Sequence, residues 1–199
     1  MVTATRAEYG MLAPLLHAIA ADPVLELQLV VTGAHLSNQF GETWRQIEAD
    51  GFTIAARVAM LLSSDTGVAA AKAIGLGALG LADAFDNLKP DLAIVLGDRY
   101  ELLAVASTTL MLRIPLLHLH GGECTEGAVD ESIRHAITKL ASLHAVAADE
   151  FARRVLQLGE PADRVYVVGT LSLDAMAATP LLTRGALCED LGLAPEGSF

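Results

Sequence analysis

Cysteine is nearly absent: Cys124 and Cys188 are the only two in 199 residues. They are too few for a disulfide framework and wrongly spaced for a structural zinc site, so a reducing, cytoplasmic compartment is expected. Positive charge is also scarce, with 13 Lys and Arg against 24 Asp and Glu and a formal net charge of −11. Nucleic-acid grooves draw on clustered basic side chains, so that class of partner is excluded and any anion site must be local. The uncharged apolar runs are short. Leu102 to Leu112, for example, stops at Arg113, well below the ~20 residues that cross a bilayer, and no membrane span is expected. The opening Met1-Val2-Thr3-Ala4-Thr5-Arg6 has no basic stretch leading into an apolar core, so it does not read as a signal peptide. Internal repeats are absent.

Apolar residues make up 53% of the chain, enough for one sizeable core at this length and too many for a disordered segment. Apolar, β-rich runs alternate with segments of helical period, the pattern of a parallel sheet covered by helices on both faces. Strands are predicted near Leu27–Thr32, Asp91–Leu96, Pro115–His120, His144–Ala147 and Val165–Val168, with helices near Ala7–Ala21, Thr66–Asp86, Glu101–Arg113, Asp130–Ser142 and Asp149–Leu158. Asp22-Pro23 and Lys89-Pro90 stop helices, while Asp130 and Asp149 suit N-caps. Gly41 to Ser64 stays open between helix and strand. Gly75, Gly77 and Gly80 are expected to permit close packing. Both ends read as cut: the first strand is truncated, and the organisation expected is a Rossmann-like domain over 1–180 with a linker over 181–199.

In open α/β sheets ligands lie beyond the carboxyl ends of the strands, which singles out four segments. Gly33-Ala34-His35, Gly97-Asp98-Arg99-Tyr100-Glu101, His118-Leu119-His120-Gly121-Gly122-Glu123 and Gly169-Thr170 should share one rim. Asp98 and Arg99 begin a helix, where free N–H groups and the dipole favour an anion, and Arg99 can fork onto a phosphate. The plainer alternative is a capping Asp98 beside a solvated Arg99. His118 and His120 sit two apart, hence on one strand face, with Glu123 beyond two glycines that would let backbone approach a ligand. No third firm ligand completes a metal site there. Asp130-Glu131-Ser132-Ile133-Arg134-His135 stacks Asp130 over Arg134 and Glu131 over His135 on a helix. Arg6 at the first helix's N-terminus suits a diphosphate or is simply solvated.

In this order, Thr5-Arg6-Ala7-Glu8-Tyr9-Gly10, Val31-Thr32-Gly33-Ala34-His35-Leu36-Ser37, Gly97–Glu101, His118–Glu123, Asp130–Lys139 and Gly169–Asp174 closely resemble the hydrolysing UDP-N-acetylglucosamine 2-epimerases. The resemblance implies a Rossmann-like parallel sheet that forms the N-terminal half of a glycosyltransferase-B-like two-domain fold. It implies elimination of UDP across C1 and C2, hydration of the glycal to N-acetylmannosamine, and a place in sialic-acid-type sugar synthesis. Close relatives take a diacetamido-sugar nucleotide. Carried over residue by residue, it makes Asp98 and Asp130 the catalytic carboxylates, with Arg6 and Arg99 on UDP and Arg134 ordering the site. It leaves His120 in a position that other members fill with Glu, Glu123 as a nearby carboxylate, and His35 at the substrate side. It implies a nucleotide-sugar substrate, no cofactor or metal, and a homo-oligomer for the full-length protein. Ala4 stands where Gly is usual, and the second half, which supplies a catalytic His, is missing; the chain alone is therefore expected to be inactive or nearly so. The alternatives are a non-hydrolysing 2-epimerase and a non-catalytic nucleotide-binding domain.

Overall fold

The computed structural model describes residues 1–126, 129–179 and 181–193. Strands β1 (Val2–Thr3), β2 (Leu29–Thr32), β3 (Ile54–Val58), β4 (Ala93–Leu96), β5 (Leu116–Leu119), β6 (Leu143–Val146) and β7 (Val165–Val167) all run parallel. Helices α1 (Arg6–Ala21), α2 (Trp44–Ala49), α3 (Gly67–Leu88), α4 (Tyr100–Leu112), α5 (Val129–Leu140), α6 (Asp149–Gln157), α7 (Leu171–Ala178) and α8 (Arg184–Leu191) complete the order. Hydrogen bonds join β1-β2-β3 and β4-β5-β6-β7, and β1 packs beside β4. The order therefore reads 3-2-1-4-5-6-7, and the direction of winding reverses between β1 and β4.

Alternate strand residues feed two apolar layers, as a sheet covered on both faces requires. Val30, Val58, Val95 and Leu116 meet Leu81 and Phe85 of α3, Leu102 and Val105 of α4, and Ile137 of α5. Leu29, Val31, Leu96 and Leu119 meet Leu12 and Leu16 of α1, Ile47 of α2 and Leu171 at the start of α7. Each layer runs across the β1/β4 gap, so the two hydrogen-bonded groups share one core. Most of these side chains are inaccessible, which stabilises the fold by roughly 1.5–3 kcal/mol for each large one.

The open segment resolves into α2 followed by β3, an edge strand whose burial alternates. Thr5 and Thr66 cap α1 and α3 through their side chains, and Lys89 ends α3 in a left-handed conformation before Pro90. Asp149 is the first helical residue of α6 and Ala148 its N-cap; Asp130 likewise lies inside the first turn of α5. Both carboxylates thus act on the helix dipole as first-turn anions rather than as caps. Gly77 and Gly80 carry the expected close packing, since a Cβ would come within 2.7 Å of Met60 Cε and Val58 Cγ1, whereas Gly75 faces open space. Helix α3 is long and apolar enough to cross a membrane by length and composition. Its Ala69, Ala73, Leu81 and Phe85 are buried in this fold. Within 181–199, Arg184–Leu191 is helical and Cys188 is buried.

Candidate functional site

The β1/β4 reversal is where an open parallel sheet leaves a crevice for ligands, and a cavity of about 820 Å³ opens there. Thr5, Arg6 and Ala7 at the start of α1 form one wall and Arg99, Tyr100 and Glu101 at the start of α4 another; Ser63 to Thr66 before α3 close it. Arg6 is exposed. Arg99 occupies the N-cap position of α4 with no side-chain cap. Its guanidinium folds onto Glu101, with Nη2 to Oε1 at 2.8 Å and Nε to Oε2 at 3.2 Å.

Glu8 lies beneath this wall. The sequence Thr5-x-x-Glu8 is a capping-box pattern, and the Glu8 N–H donates to Thr5 Oγ1 while Glu8 Oε2 accepts the Ala4 N–H at 2.9 Å. Its other oxygen, Oε1, is buried without a hydrogen-bond partner and stands 3.9 Å from Arg99 Nε. Burial pushes this carboxyl up to about 7, against the Ala4 N–H and the Arg99 charge, which favour ionisation. That residue carried no functional weight in the sequence, although the capping pattern was there to be read.

A second cluster sits on the other side of β4, and Asp98 and Arg99, consecutive in the chain, divide the two. Arg134 from α5 is almost wholly buried; its Nη2 bonds Asp98 and Thr125 Oγ1, and its Nη1 reaches the His120 carbonyl at 2.9 Å and Glu123 Oε2 at 3.3 Å. Thr125 Oγ1 also donates to Asp98 Oδ2 at 3.4 Å. His120 lies 3.0 Å from Glu123 Oε1 through Nδ1 and accepts the Leu171 N–H at Nε2, which fits the tautomer protonated at Nδ1. Burial pushes the Glu123 carboxyl up, but the His120 hydrogen bond and the Arg134 charge outweigh it and hold the group below its ordinary range. Glu131 accepts the Thr125 N–H and pairs with His135. Thr125 thus ties the loop to both Asp98 and α5, a role that no sequence signal marked.

Three expectations need correction. His118 and His120 do not share a face: β5 ends at Leu119, and His120 turns left-handed with φ of 62°. His118 is instead fully buried, donating from Nε2 to the Gly97 carbonyl at 2.7 Å with Nδ1 3.1 Å from Thr138 Oγ1. The glycines at 121 and 122 serve protein packing. A Cβ on Gly122 would lie 2.4 Å from the Phe151 carbonyl, and one on Gly121 would lie 3.1 Å from His118 and Thr138. Arg134 pairs with Asp98 and Glu123 rather than with Asp130, because those two carboxylates lie with it at the strand ends. Among the described residues no hydrogen bond or ion pair engages the Asp130 side chain, which is half-buried.

His35 is buried under the cavity rim, with Nε2 3.1 Å from Thr3 Oγ1 and Nδ1 2.7 Å from Thr43 Oγ1; burial pushes its imidazole down to about 4. It locks β1 to the turn after β2. That turn approaches closely: Gly33 has φ of 58° and a Cβ there would come within 2.8 Å of the Ala4 carbonyl, so Ala4 is accommodated because residue 33 has no side chain. The structure therefore brings Arg6 and Arg99 to one cavity and Asp98, His120, Glu123 and Arg134 to one cluster. Asp130 stands on the helix beside that cluster, and the His35 ring lies in the packing beneath the cavity. Among the described residues no three His, Cys, Asp or Glu side chains converge as a metal site.

A family model described as UDP-N-acetylglucosamine 2-epimerase matches residues 17–192. The chain is 47% identical over 172 residues to the GDP/UDP-N,N'-diacetylbacillosamine 2-epimerase (hydrolyzing) of Campylobacter jejuni, covering 86% of this chain and 44% of that protein. It is 37% identical over 195 residues to the UDP-N,N'-diacetylbacillosamine 2-epimerase (hydrolyzing) of Legionella pneumophila, covering 98% of this chain and 52% of that one. Among solved structures, UDP-GlcNAc 2-epimerase from Neisseria meningitidis bound to UDP-GlcNAc superposes with a TM-score of 0.78 at 20% identity, over 88% of this chain and 47% of that one. The chain thus spans about half the length of the curated relatives it matches. The expected fold, a Rossmann-like half of a glycosyltransferase-B-like chain, holds.

Proposed function

Because the chain belongs to the UDP-N-acetylglucosamine 2-epimerase family, we propose that it forms the N-terminal half of a hydrolysing nucleotide-sugar 2-epimerase. Residues 1–180 make the Rossmann-like half and 181–199 lead toward the second. The observation that carries the reading is the single buried guanidinium of Arg134 gathering Asp98 and Glu123, with His120 on Glu123, beside a cavity walled by Arg6 and Arg99.

In the reaction a base removes the C2 proton, the C1–O bond to UDP breaks, and a C1=C2 glycal forms. Water then adds its hydroxyl to C1 and a proton returns to C2 from the opposite side. The product is N-acetylmannosamine when the substrate is UDP-N-acetylglucosamine. Arg6 and Arg99 suit the departing diphosphate, since cations placed where charge develops lower the barrier. Asp98 and Asp130 are assigned the proton transfers. Arg134 holds Asp98 in place, and the Glu123–His120 pair orients water onto the glycal, while His35 positions the β1 end of the cavity. The names of the Campylobacter and Legionella relatives favour a 2,4-diacetamido sugar as substrate over N-acetylglucosamine. A cytoplasmic enzyme assembling as a homo-oligomer in its full-length form completes the reading.

Proton NMR of the full-length protein with each nucleotide sugar in heavy water tests it. Free UDP together with a C2-deuterated, epimerised sugar is the expected result, fastest for the diacetamido substrate. A UDP-linked epimer without free UDP would assign the non-hydrolysing reaction, and no turnover of either sugar would overturn the proposal. The 199-residue chain alone is expected to give no detectable product, because positioning by the second half contributes on the order of 7–11 kcal/mol in well-oriented systems.

A further inference from the structure

At the switch point one guanidinium serves two buried carboxylates. Glu101 is fully buried and takes both Arg99 contacts. Glu8 is 8% exposed at its side chain, and its unpartnered Oε1 points to the same guanidinium at 3.9 Å. The charges acting on Glu8 are Arg99, which favours its ionised form, and Glu101, which opposes it. The other titratable neighbours are occupied: Tyr9 on the same helix donates its hydroxyl to Asp50, and His35 from the turn after β2 is bonded to Thr3 and Thr43. With Glu8 and Glu101 both ionised, the Glu8–Arg99–Glu101 group carries a net charge of about −1 and repels an anion. With Glu8 neutral the group balances, and the exposed Arg6 at the head of α1 adds a free positive charge to the same cavity.

We propose that Glu8 is a positioning residue that couples the binding of a nucleoside diphosphate at Arg6 and Arg99 to the uptake of one proton from solvent. The proton sits on Oε1, the oxygen with no partner, and no other bond forms or breaks. The ionised carboxylate attracts the Arg99 charge toward the α1 wall across 3.9 Å, while Glu101 keeps both hydrogen bonds. A diphosphate approaching Arg99 raises the cost of that buried negative charge, so the carboxyl is neutralised and the guanidinium is released to the ligand. The inference rests on the reading that this cavity takes the diphosphate, and goes beyond it in naming the residue that sets the charge of the site.

Calorimetric titration with UDP, in buffers of different ionisation enthalpy from about pH 7 to about pH 8.5, tests it on the 199-residue chain. Comparison with Glu8→Gln cancels the titration of UDP itself. The glutamine keeps an oxygen for the Ala4 N–H, and a thermal melt verifies that it folds. The wild-type chain should take up more than about half a proton per UDP above pH 7.5 and lose affinity about tenfold across the range, while Glu8→Gln should take up none at that site and vary less than about twofold. Equal proton uptake and equal pH slopes in the two proteins would overturn the inference, as would failure of UDP to bind at millimolar concentration. UDP binding with the predicted linkage, in a full-length protein that turns over neither sugar, would leave the inference standing while the proposed reaction fell.

Discussion

Two arginines flank the carboxyl end of β4, and they are held in opposite ways. Arg134 is 8% exposed at its side chain, and its two terminal nitrogens meet Asp98, Glu123, Thr125 and the His120 carbonyl. Arg99 is 44% exposed, bonds one carboxylate fully and leaves a second at 3.9 Å. A buried charge is tolerated only when it is paired, and the two carboxylates on its terminal nitrogens fix Arg134 in one geometry even though its Nε is buried without a partner. The half-solvated Arg99 keeps its exposed edge available to a ligand while it remains bonded to Glu101. One side of β4 is thus held rigid, and on the inference above the other changes state when an anion arrives.

The largest test of that contrast is Arg134→Met, which strands Asp98 and Glu123 without their cation. It should destabilise the domain by about 3–5 kcal/mol in urea unfolding and abolish turnover of the full-length enzyme. Arg99→Met takes the cation from the fully buried Glu101 and should also destabilise the domain, but by less than Arg134→Met, because the Arg99 guanidinium is 44% exposed and bonds one carboxylate rather than two; equal losses for the two variants would dissolve the comparison. Next in size, Asp98→Asn in the full-length protein should lower kcat by about 10²–10⁴-fold with the circular dichroism spectrum unchanged.

Acid should act through buried imidazoles on both sides, His118 by the Arg134 cluster and His35 beneath the cavity. Burial pushes the His118 imidazole down to about 4, so the folded state refuses a proton that the unfolded chain accepts below about 6.5. Stability present above pH 6.5 is lost as pH falls toward 4, on the order of 3 kcal/mol for this group. His118→Gln should flatten that part of the stability curve measured from pH 7 to 4. Glu8 works in the opposite sense and is the smallest expected effect. Its folded carboxyl titrates at about 7 against an ordinary 4.5, so stability present below pH 4.5 is lost as pH rises to 7 and then levels. Glu8→Gln should therefore raise the melting temperature at pH 8 and leave it nearly unchanged at pH 4, by a free energy on the order of 2–3 kcal/mol.

The fold class was legible because parallel strands buried on both faces read as short apolar runs separated by long helical periods. The observed β2, β4, β5, β6 and β7 fall within about two residues of their predicted bounds. Gly41 to Ser64 was not legible, since β3 is an edge strand with exposed alternate residues and α2 is six residues long. In the site, strand-end position alone singled out Asp98, Arg99, His120 and Glu123. Thr125 escaped notice because its partners, Asp98 and Arg134, are 27 and nine residues away in sequence. Helical spacing paired Arg134 with Asp130, but carboxylates brought in by β4 and the loop after β5 take the guanidinium instead.

The sequence by itself determined the parallel α/β architecture, the rim on which chemistry is placed and the likeness to half of a longer chain, because apolar periodicity and short strand-end motifs are local. Only the tertiary structure decided which carboxylate each arginine holds, that His118 and His35 are packing groups beneath the site, and that Glu8 is left buried with an unmet oxygen. Those facts depend on charges from different strands meeting in a region of low dielectric, where a difference of about an ångström separates a bonded ion from an unpaired one.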